Sequence, residues 1–233
     1  MSIINEELKC ALKGLSLFLI FMVYQIFGLR IFKFLGFDIA NASIFVKSLI
    51  SLVIQFFLIF LFIYINLNDI KRYLKDFLTN KNTYFKKYFK FWLLSLGLVM
   101  ITNLIIMLFL PNSLPNNETA IRKTLETAPI YIYISAVIIA PILEELVFRK
   151  GFRMAISNNI IYILTSGLVF GSLHVIGSLK NLYELVYIIP YSIPGFIFAY
   201  VYIKSKNIMV PITLHFIHNG ILMSLQIFIL LFG

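Results

Sequence analysis

The sequence predicts an all-α fold, a polytopic membrane bundle of about seven transmembrane helices. Of its 233 residues, 61% are hydrophobic and only 13% are charged, and the mean hydropathy is +0.94. A soluble domain carries roughly 45–50% apolar and about 25% charged residues, so this chain has too few polar side chains to cover a water-facing surface. Apolar runs long enough to cross a hydrocarbon core of ~30 Å recur along the whole chain. We therefore exclude a cytosolic enzyme, a disordered regulator and a secreted domain, and predict a multi-pass protein of the cell membrane.

Seven apolar runs are predicted to span the bilayer as helices. They are continuous and do not alternate with period two, which disfavours a transmembrane barrel. The sixth contains Pro190 and Pro194, which membrane helices tolerate when neighbouring groups satisfy the freed carbonyls. The predicted spans are Leu12–Leu29, Ser48–Leu67, Phe91–Leu110, Pro129–Phe148, Ile160–Ile176, Leu185–Ile203 and Ile208–Leu231.

The distribution of basic residues predicts a cytoplasmic N-terminus. Of the 20 Lys and Arg residues, 14 lie in the N-terminus and the loops on its side of the membrane, and 6 lie on the other side. Such an excess marks the cytoplasmic face. Attraction to anionic lipids explains the basic segment between the second and third spans, so no nucleic-acid partner is expected.

A polar segment divides the chain into two groups of spans. Residues 1–110 are predicted to form three helices with a basic cytoplasmic loop. Residues 111–127 are predicted to form an external loop, in which Glu118–Thr127 is suited to a short amphipathic helix. Residues 128–233 are predicted to form a core of four helices. The single cysteine, Cys10, excludes a disulfide framework and a thiolate metal cluster.

Polar side chains inside the last four spans are the main functional signal. An ionised residue at mid-helix costs about 2.5–3.5 kcal/mol on insertion scales, so each one requires a reason. Spans one to three contain no acidic residue and no histidine, whereas spans four, five and seven contain several. These residues are Glu144, Glu145, His174, His215, His218 and Asn219.

Each of these groups also has a structural explanation when taken alone. Glu145 can pair with Arg149 four residues later at the membrane interface, and Glu144, rotated by ~100°, can face a cavity. His174 can be a hydrogen-bonded core residue, and paired polar groups such as those of the seventh span can join neighbouring helices. Gathered on separate helices of one bundle, however, they favour a functional site.

Two chemistries fit this cluster. A carboxylate beside a histidine can deprotonate a water, and a His/Asn pair such as His215 and Asn219 can donate hydrogen bonds to a developing oxyanion. Alternatively, Glu144, His174 and His215 form a zinc ligand set with an open position for water. Both describe hydrolysis of an acyl bond within the membrane, and the residues do not decide between them.

Three motifs follow one another in the last four spans. They are Pro141-x-x-Glu144-Glu145-x-x-x-Arg149-x-Gly151, Phe170-x-x-x-His174 and Pro211-x-x-x-His215-x-x-x-Asn219. In order and spacing they resemble the CAAX protease and bacteriocin-processing (Abi) family of intramembrane endopeptidases, which is related to the type II CAAX prenyl endopeptidases. The resemblance covers about Pro129 to Ile221.

The resemblance implies an intramembrane endopeptidase whose site opens to the cytoplasm. Glu144 and His174 would activate the attacking water, His215 and Asn219 would stabilise the tetrahedral intermediate, and Glu145 and Arg149 would support them. The resemblance leaves both a zinc enzyme and a metal-independent glutamate mechanism open. The expected substrate is a membrane-associated peptide or protein: a lipidated tail, a pheromone or a bacteriocin precursor.

Two other functions remain as alternatives. One is a non-catalytic membrane scaffold or bacteriocin-immunity protein. The less favoured one is a proton-coupled transporter with Glu144, His174 and His215 as a relay, because no early span carries prolines matching those of the sixth.

Helix depth sets one geometric requirement for a shared site. Glu144 lies four residues, ~6 Å, before the predicted end of span four, whereas His174 lies fourteen residues, ~21 Å, into span five. The two can converge only if span five starts deeper, tilts, or follows a buried segment at Lys150–Asn159.

Overall fold

The computed structural model describes residues 2–111 and 114–232, and in them it shows a bundle of helices. Seven of these helices are long and apolar enough to cross a membrane, which confirms the predicted fold class. Two short helical turns, Gly28–Arg30 and Ile31–Phe34, follow the first of them. The main elements are α1 (Ser2–Phe27), α2 (Ile44–Ile65), α3 (Leu67–Phe109), α4 (Asn116–Thr127), α5 (Pro129–Ala155), α6 (Asn159–Ile176), α7 (Leu182–Ser205) and α8 (Met209–Phe232).

The basic segment between the second and third spans is helical, not a loop. Asn66 alone separates α2 from α3, and α3 runs for 43 residues, about 65 Å, roughly twice the thickness of the hydrocarbon core. The sequence contains neither Gly nor Pro between Leu67 and Leu96, so nothing interrupts the helix. Its charged first half lies against α7 and α8, where Asn207 Nδ2 donates to the carbonyl of Tyr73 at 2.8 Å.

Helix α5 contains two wide, π-helical stretches, Ile134–Ile139 and Glu145–Gly151. The first ends just before Pro141, which has no N–H to continue the hydrogen-bond ladder. The prediction that this span ends at Phe148 is wrong, because the helix continues to Ala155.

Close packing against α1 covers the extended part of α5. Gly14 and Gly151 meet so closely that a Cβ on Gly14 would overlap the carbonyl oxygen of Gly151. Lys150, beside this contact, is buried and pairs with Asp69 at the start of α3. The end of α5 is thus held by two helices that lie far from it in the sequence.

The longer α5 removes most of the expected mismatch in depth. Glu144 lies eleven residues, ~16 Å, before the end of α5, and His174 lies fifteen residues, ~22 Å, after the start of α6. The first residues of the connecting segment, Lys150 and Gly151, are buried, and the exposed turn comes only after Ala155. Of the three possibilities, a buried segment after span four is therefore the one that applies, although only the first residues of Lys150–Asn159 are buried.

Helix α4 covers one end of the bundle. Its Leu125 is buried with Val137 of α5 and Met223 of α8. Asn116 Nδ2 donates to both carboxylate oxygens of the buried Glu184, at 2.8 and 2.7 Å. The amphipathic helix predicted here exists, begins at Asn116, and links α5, α7 and α8.

Candidate active site

Two adjacent glutamates of α5 face one histidine of α8. Glu145 Oε1 lies 2.9 Å from Nδ1 of His215, and Glu144 Oε2 lies 3.7 Å from Nε2 of the same ring. Glu145 is fully buried, His215 is 5% exposed, and the Glu144 side chain is 12% exposed. The two ring nitrogens of His215 thus have different carboxylates as neighbours.

The buried Arg149 holds Glu145 in place. Its Nε lies 3.0 Å from Glu145 Oε2, as an ion pair without hydrogen-bond alignment, and both side chains are fully buried. Arg149 Nη1 donates to Ser166 Oγ at 3.0 Å, and this hydroxyl donates to the carbonyl of Phe148 at 2.7 Å. The predicted Glu145–Arg149 pair is confirmed, but it lies in the protein interior and not at the interface.

His174 lies beside this group without a hydrogen bond to it in the part of the chain that the structure describes. Its Nδ1 is 2.8 Å from the carbonyl of Phe170, so Nδ1 carries the donated proton and Nε2 is free to accept one. The Phe170 ring contacts both imidazoles, with centroids 4.5 Å from that of His174 and 5.9 Å from that of His215. The structure therefore joins His174 to His215 through an aromatic ring.

Asn219 satisfies a carbonyl that Pro141 leaves without a donor. In the first wide turn, the N–H of Ala140 bonds to the carbonyl five residues earlier. The next carbonyl, that of Ala136, would pair with residue 141, but proline has no N–H. Asn219 Nδ2 donates to this carbonyl at 2.8 Å, so it fixes α8 against α5 about two helical turns before the glutamates.

Three further side chains bear on the site. Ser166 could be found from the sequence, because it lies four residues before Phe170 and eight before His174 on one face of α6. No motif or polar pattern in the sequence indicated Tyr191, whose ring stacks on His174 at 5.1 Å. His218 is buried, and within the described residues its Nδ1 has no hydrogen-bond partner.

The donors do not form a metal cage as they are arranged. Within residues 2–111 and 114–232, no three His, Cys, Asp or Glu side chains are grouped to hold a metal ion. Both nitrogens of His215 face carboxylates, and Nδ1 of His174 is bonded to a carbonyl. Histidines that bind metals commonly donate their other ring nitrogen to a carboxylate or carbonyl, so these contacts leave Nε2 of His174 and of His215 as the nitrogens that could hold a metal. Because the three side chains are not grouped around one point, we derive no step through a metal.

Comparison with known proteins finds a family match in the part of the chain that carries this site. Residues 126–221 match the family described as type II CAAX prenyl endopeptidase Rce1-like. This range contains the two glutamates, Arg149, His174, His215 and Asn219. The chain thus has an Rce1-like region, which confirms the resemblance inferred from the motifs.

Two curated relatives are similar to the chain. A protein of Bacillus subtilis (strain 168), YdiL, named as a candidate membrane peptidase, is 32% identical over 114 residues, which cover 48% of this chain and 43% of the relative. The membrane-embedded CAAX protease MroQ of Staphylococcus aureus (strain USA300) is 32% identical over 161 residues, 61% of this chain and 60% of the relative. The chain therefore spans less than two thirds of the length of each relative. No solved structure matches it significantly.

Proposed function

We propose that this multi-pass membrane protein, with its Rce1-like region at residues 126–221, is an intramembrane endopeptidase that hydrolyses a peptide bond of a membrane-associated substrate. One observation carries the proposal. A buried imidazole, that of His215, is fixed by one carboxylate and faces a second, less buried one. A core histidine that served only to join helices would need one partner, not two acids.

The Glu145–Arg149 pair orients His215. Glu145 Oε1 accepts the proton of Nδ1, which leaves Nε2 as the acceptor of the neutral ring. Since Arg149 compensates the charge of Glu145, this carboxylate acts on the imidazole as a fixed hydrogen-bond acceptor. The arrangement is that of a base oriented by a third group.

A water fits between Glu144 and His215. An oxygen ~2.8 Å from each of two acceptors is compatible with the 3.7 Å that separates Glu144 Oε2 from His215 Nε2. Both hydrogens of such a water point at acceptors, so its lone pair is free to attack a carbonyl carbon. Glu144 takes the proton as general base and returns it to the leaving amine.

His174 and Asn219 complete the proposed machinery. His174 packs against the Phe170 ring, which also contacts His215, and is the second histidine for activating the water. Asn219 uses one amide N–H on the Ala136 carbonyl, and its second N–H is the donor for the oxyanion. His215 is the direct neighbour of Glu144, and its Nε2 is an acceptor in this tautomer, so we assign it to the water and leave the oxyanion to Asn219.

The proposed substrate is a peptide or protein tail held at the bilayer. The site lies in helices suited to a membrane, and one relative is named a CAAX protease. A lipidated tail, a pheromone precursor or a bacteriocin precursor has this character, since each presents a peptide bond next to an apolar anchor.

The proposal is tested by comparing the peptides released from membranes that carry the wild type, Glu144→Gln or Glu126→Gln at matched abundance. Glu126 is an exposed acid of α4, so Glu126→Gln controls for the loss of a carboxylate. We expect peptides that the wild type and Glu126→Gln release and Glu144→Gln does not. General-base removal corresponds to a rate loss of about 10²- to 10⁴-fold.

Equal peptide release by all three proteins would overturn the proposal. If a cellular phenotype then persisted in all three, a non-catalytic scaffold or bacteriocin-immunity function would replace it. Treatment of the reconstituted wild type with a chelator, followed by added Zn²⁺, decides whether the reaction requires metal.

A further inference from the structure

A second polar site lies apart from the glutamates, at the end of the bundle where α3 begins. A cavity of about 780 Å³ opens there between α3, the turn after α5, and the end of α7. Its lining includes three cationic side chains and one acid, and none of the residues assigned to hydrolysis. The charged residues are Arg72, Arg153, Lys206 and Asp76.

The acid of this cavity is already engaged by neutral groups. Asp76 accepts hydrogen bonds from Asn207 Nδ2 at 2.7 Å, from Asn80 Nδ2 at 2.8 Å, and from the hydroxyl of Tyr84. Arg72 pairs at 3.2 Å with Asp69, which is shared with Lys150. The cavity therefore keeps an excess of positive charge.

Lys206 is held at the cavity in a strained backbone conformation. It follows α7 with φ +54 and ψ 21, and it is the only non-glycine residue of the described chain with a positive φ. Glycine or asparagine is the usual residue at such a position. Strain of this kind persists where the surrounding structure fixes it, often at binding sites, and here it places an exposed ammonium at the cavity.

Arg153 is also fixed at the cavity. Its Nη1 donates to the carbonyl oxygens of Ile156 and Ser157, at 3.0 and 2.6 Å, and its guanidinium lies 5.5 Å from the centre of the Tyr162 ring. Both hydrogen bonds use the same nitrogen. A guanidinium held by one edge is oriented in advance for a bidentate ligand such as phosphate.

We propose that this cavity binds a phosphate group, that of an anionic phospholipid headgroup or of a soluble phosphoester. The excess cations and the fixed guanidinium select a phosphate over a neutral ligand. The hydroxyls of Tyr73 and Tyr202, 3.4 Å apart, are further donors. The cavity lies where α7 ends, and tyrosines at a helix end are typical of the headgroup region, so the lipid is the favoured source.

The test uses the purified full chain in vesicles of phosphatidylcholine with or without phosphatidylglycerol. The bound phosphatidylglycerol that survives delipidation is measured by quantitative mass spectrometry for the wild type, Lys206→Asn, Arg72→Gln and Lys204→Gln. Asparagine suits the left-handed backbone, so Lys206→Asn removes the charge without disturbing the turn. Lys204 is exposed, lies two residues away and does not line the cavity, which makes Lys204→Gln the charge-matched control.

We expect Lys206→Asn and Arg72→Gln each to reduce retained phosphatidylglycerol about fivefold, and Lys204→Gln to leave it unchanged. Displacement of the lipid by millimolar inorganic phosphate would assign the site to a soluble phosphoester, and no displacement would assign it to the headgroup. Equal losses in all three variants, or equal retention of both lipids by the wild type, would overturn the proposal. A thermal melt of each variant checks that it is folded.

Discussion

Adjacent residues of α5 have opposite surroundings, although their chemistry is the same. Glu145 is fully buried and paired with Arg149, whereas Glu144 is partly accessible and 3.7 Å from His215. A buried ion pair costs desolvation energy that its attraction only partly repays. The buried Glu145–Arg149 pair is therefore better explained by a positioning function, since Glu145 fixes His215, the histidine that Glu144 faces.

At the same scale, Pro141 and Asn219 are predicted to be energetically coupled. Asn219→Ala leaves the Ala136 carbonyl without a donor and should destabilise the protein by about 1–3 kcal/mol. Pro141→Ala restores the N–H that this carbonyl lacks, so the double variant should lose less stability than the two single losses added. Chemical unfolding in detergent of all four proteins measures the coupling. Strict additivity would show that the proline does not create the need for the asparagine.

At the scale of elements, hydropathy predicted where helices exist but not where all of them begin and end. The seven spans are local features of sequence, and each one appears as a helix. Helix α3 begins at Leu67 because no Gly or Pro interrupts it, whereas the end of α5 depends on distant partners. Lys150 reads as an interfacial residue, yet it is buried because Asp69, 81 residues earlier, pairs with it.

The site, too, has features that the local sequence predicts and features that depend on distant partners. The residues that came together were predicted because charge in an apolar span is costly. Which nitrogen of His215 meets which glutamate could not be predicted, because it depends on the wide turns of α5 and on the α5–α8 packing. The pairing of His174 with Glu144 was an expectation of the resemblance, and in the structure His215 is the direct neighbour.

The contact of α1 with α5 is predicted to be the packing that positions the glutamates. Gly14→Ala adds a methyl group that overlaps the Gly151 carbonyl, and overpacking typically costs 1–3 kcal/mol. We expect a lower unfolding temperature and reduced peptide release. Gly97→Ala is the matched control, since nothing lies within 4 Å of its Cβ position, and it should behave as the wild type or be slightly more stable. If the two variants behaved alike, the α1–α5 approach would not position the site.

At the scale of the whole molecule, the bundle has two different ends with the glutamates between them. One end is basic and contains the cavity of Lys206, and the other is covered by α4, which Asn116 ties to Glu184. Asn117 Nδ2 contacts the hydroxyl of Tyr191 at 3.5 Å, and that ring stacks on His174. The α4 end is therefore connected to the site through side chains, and the basic end is the one that can face anionic lipid.

The orientation of these ends in the membrane is predicted by charge and can be measured with one native thiol. Cys10 is the only cysteine of the sequence, is exposed, and lies two residues before the first predicted span. With 14 of 20 basic residues on the N-terminal side, the positive-inside rule places Cys10 in the cytoplasm. A membrane-impermeant maleimide should then label it only after the cells are permeabilised. Cys10→Ser combined with Lys123→Cys moves the thiol to an exposed position of α4 and should reverse the result. Labelling of Cys10 in intact cells would show that the topology is the opposite of the predicted one and that the basic cavity lies at the outer leaflet.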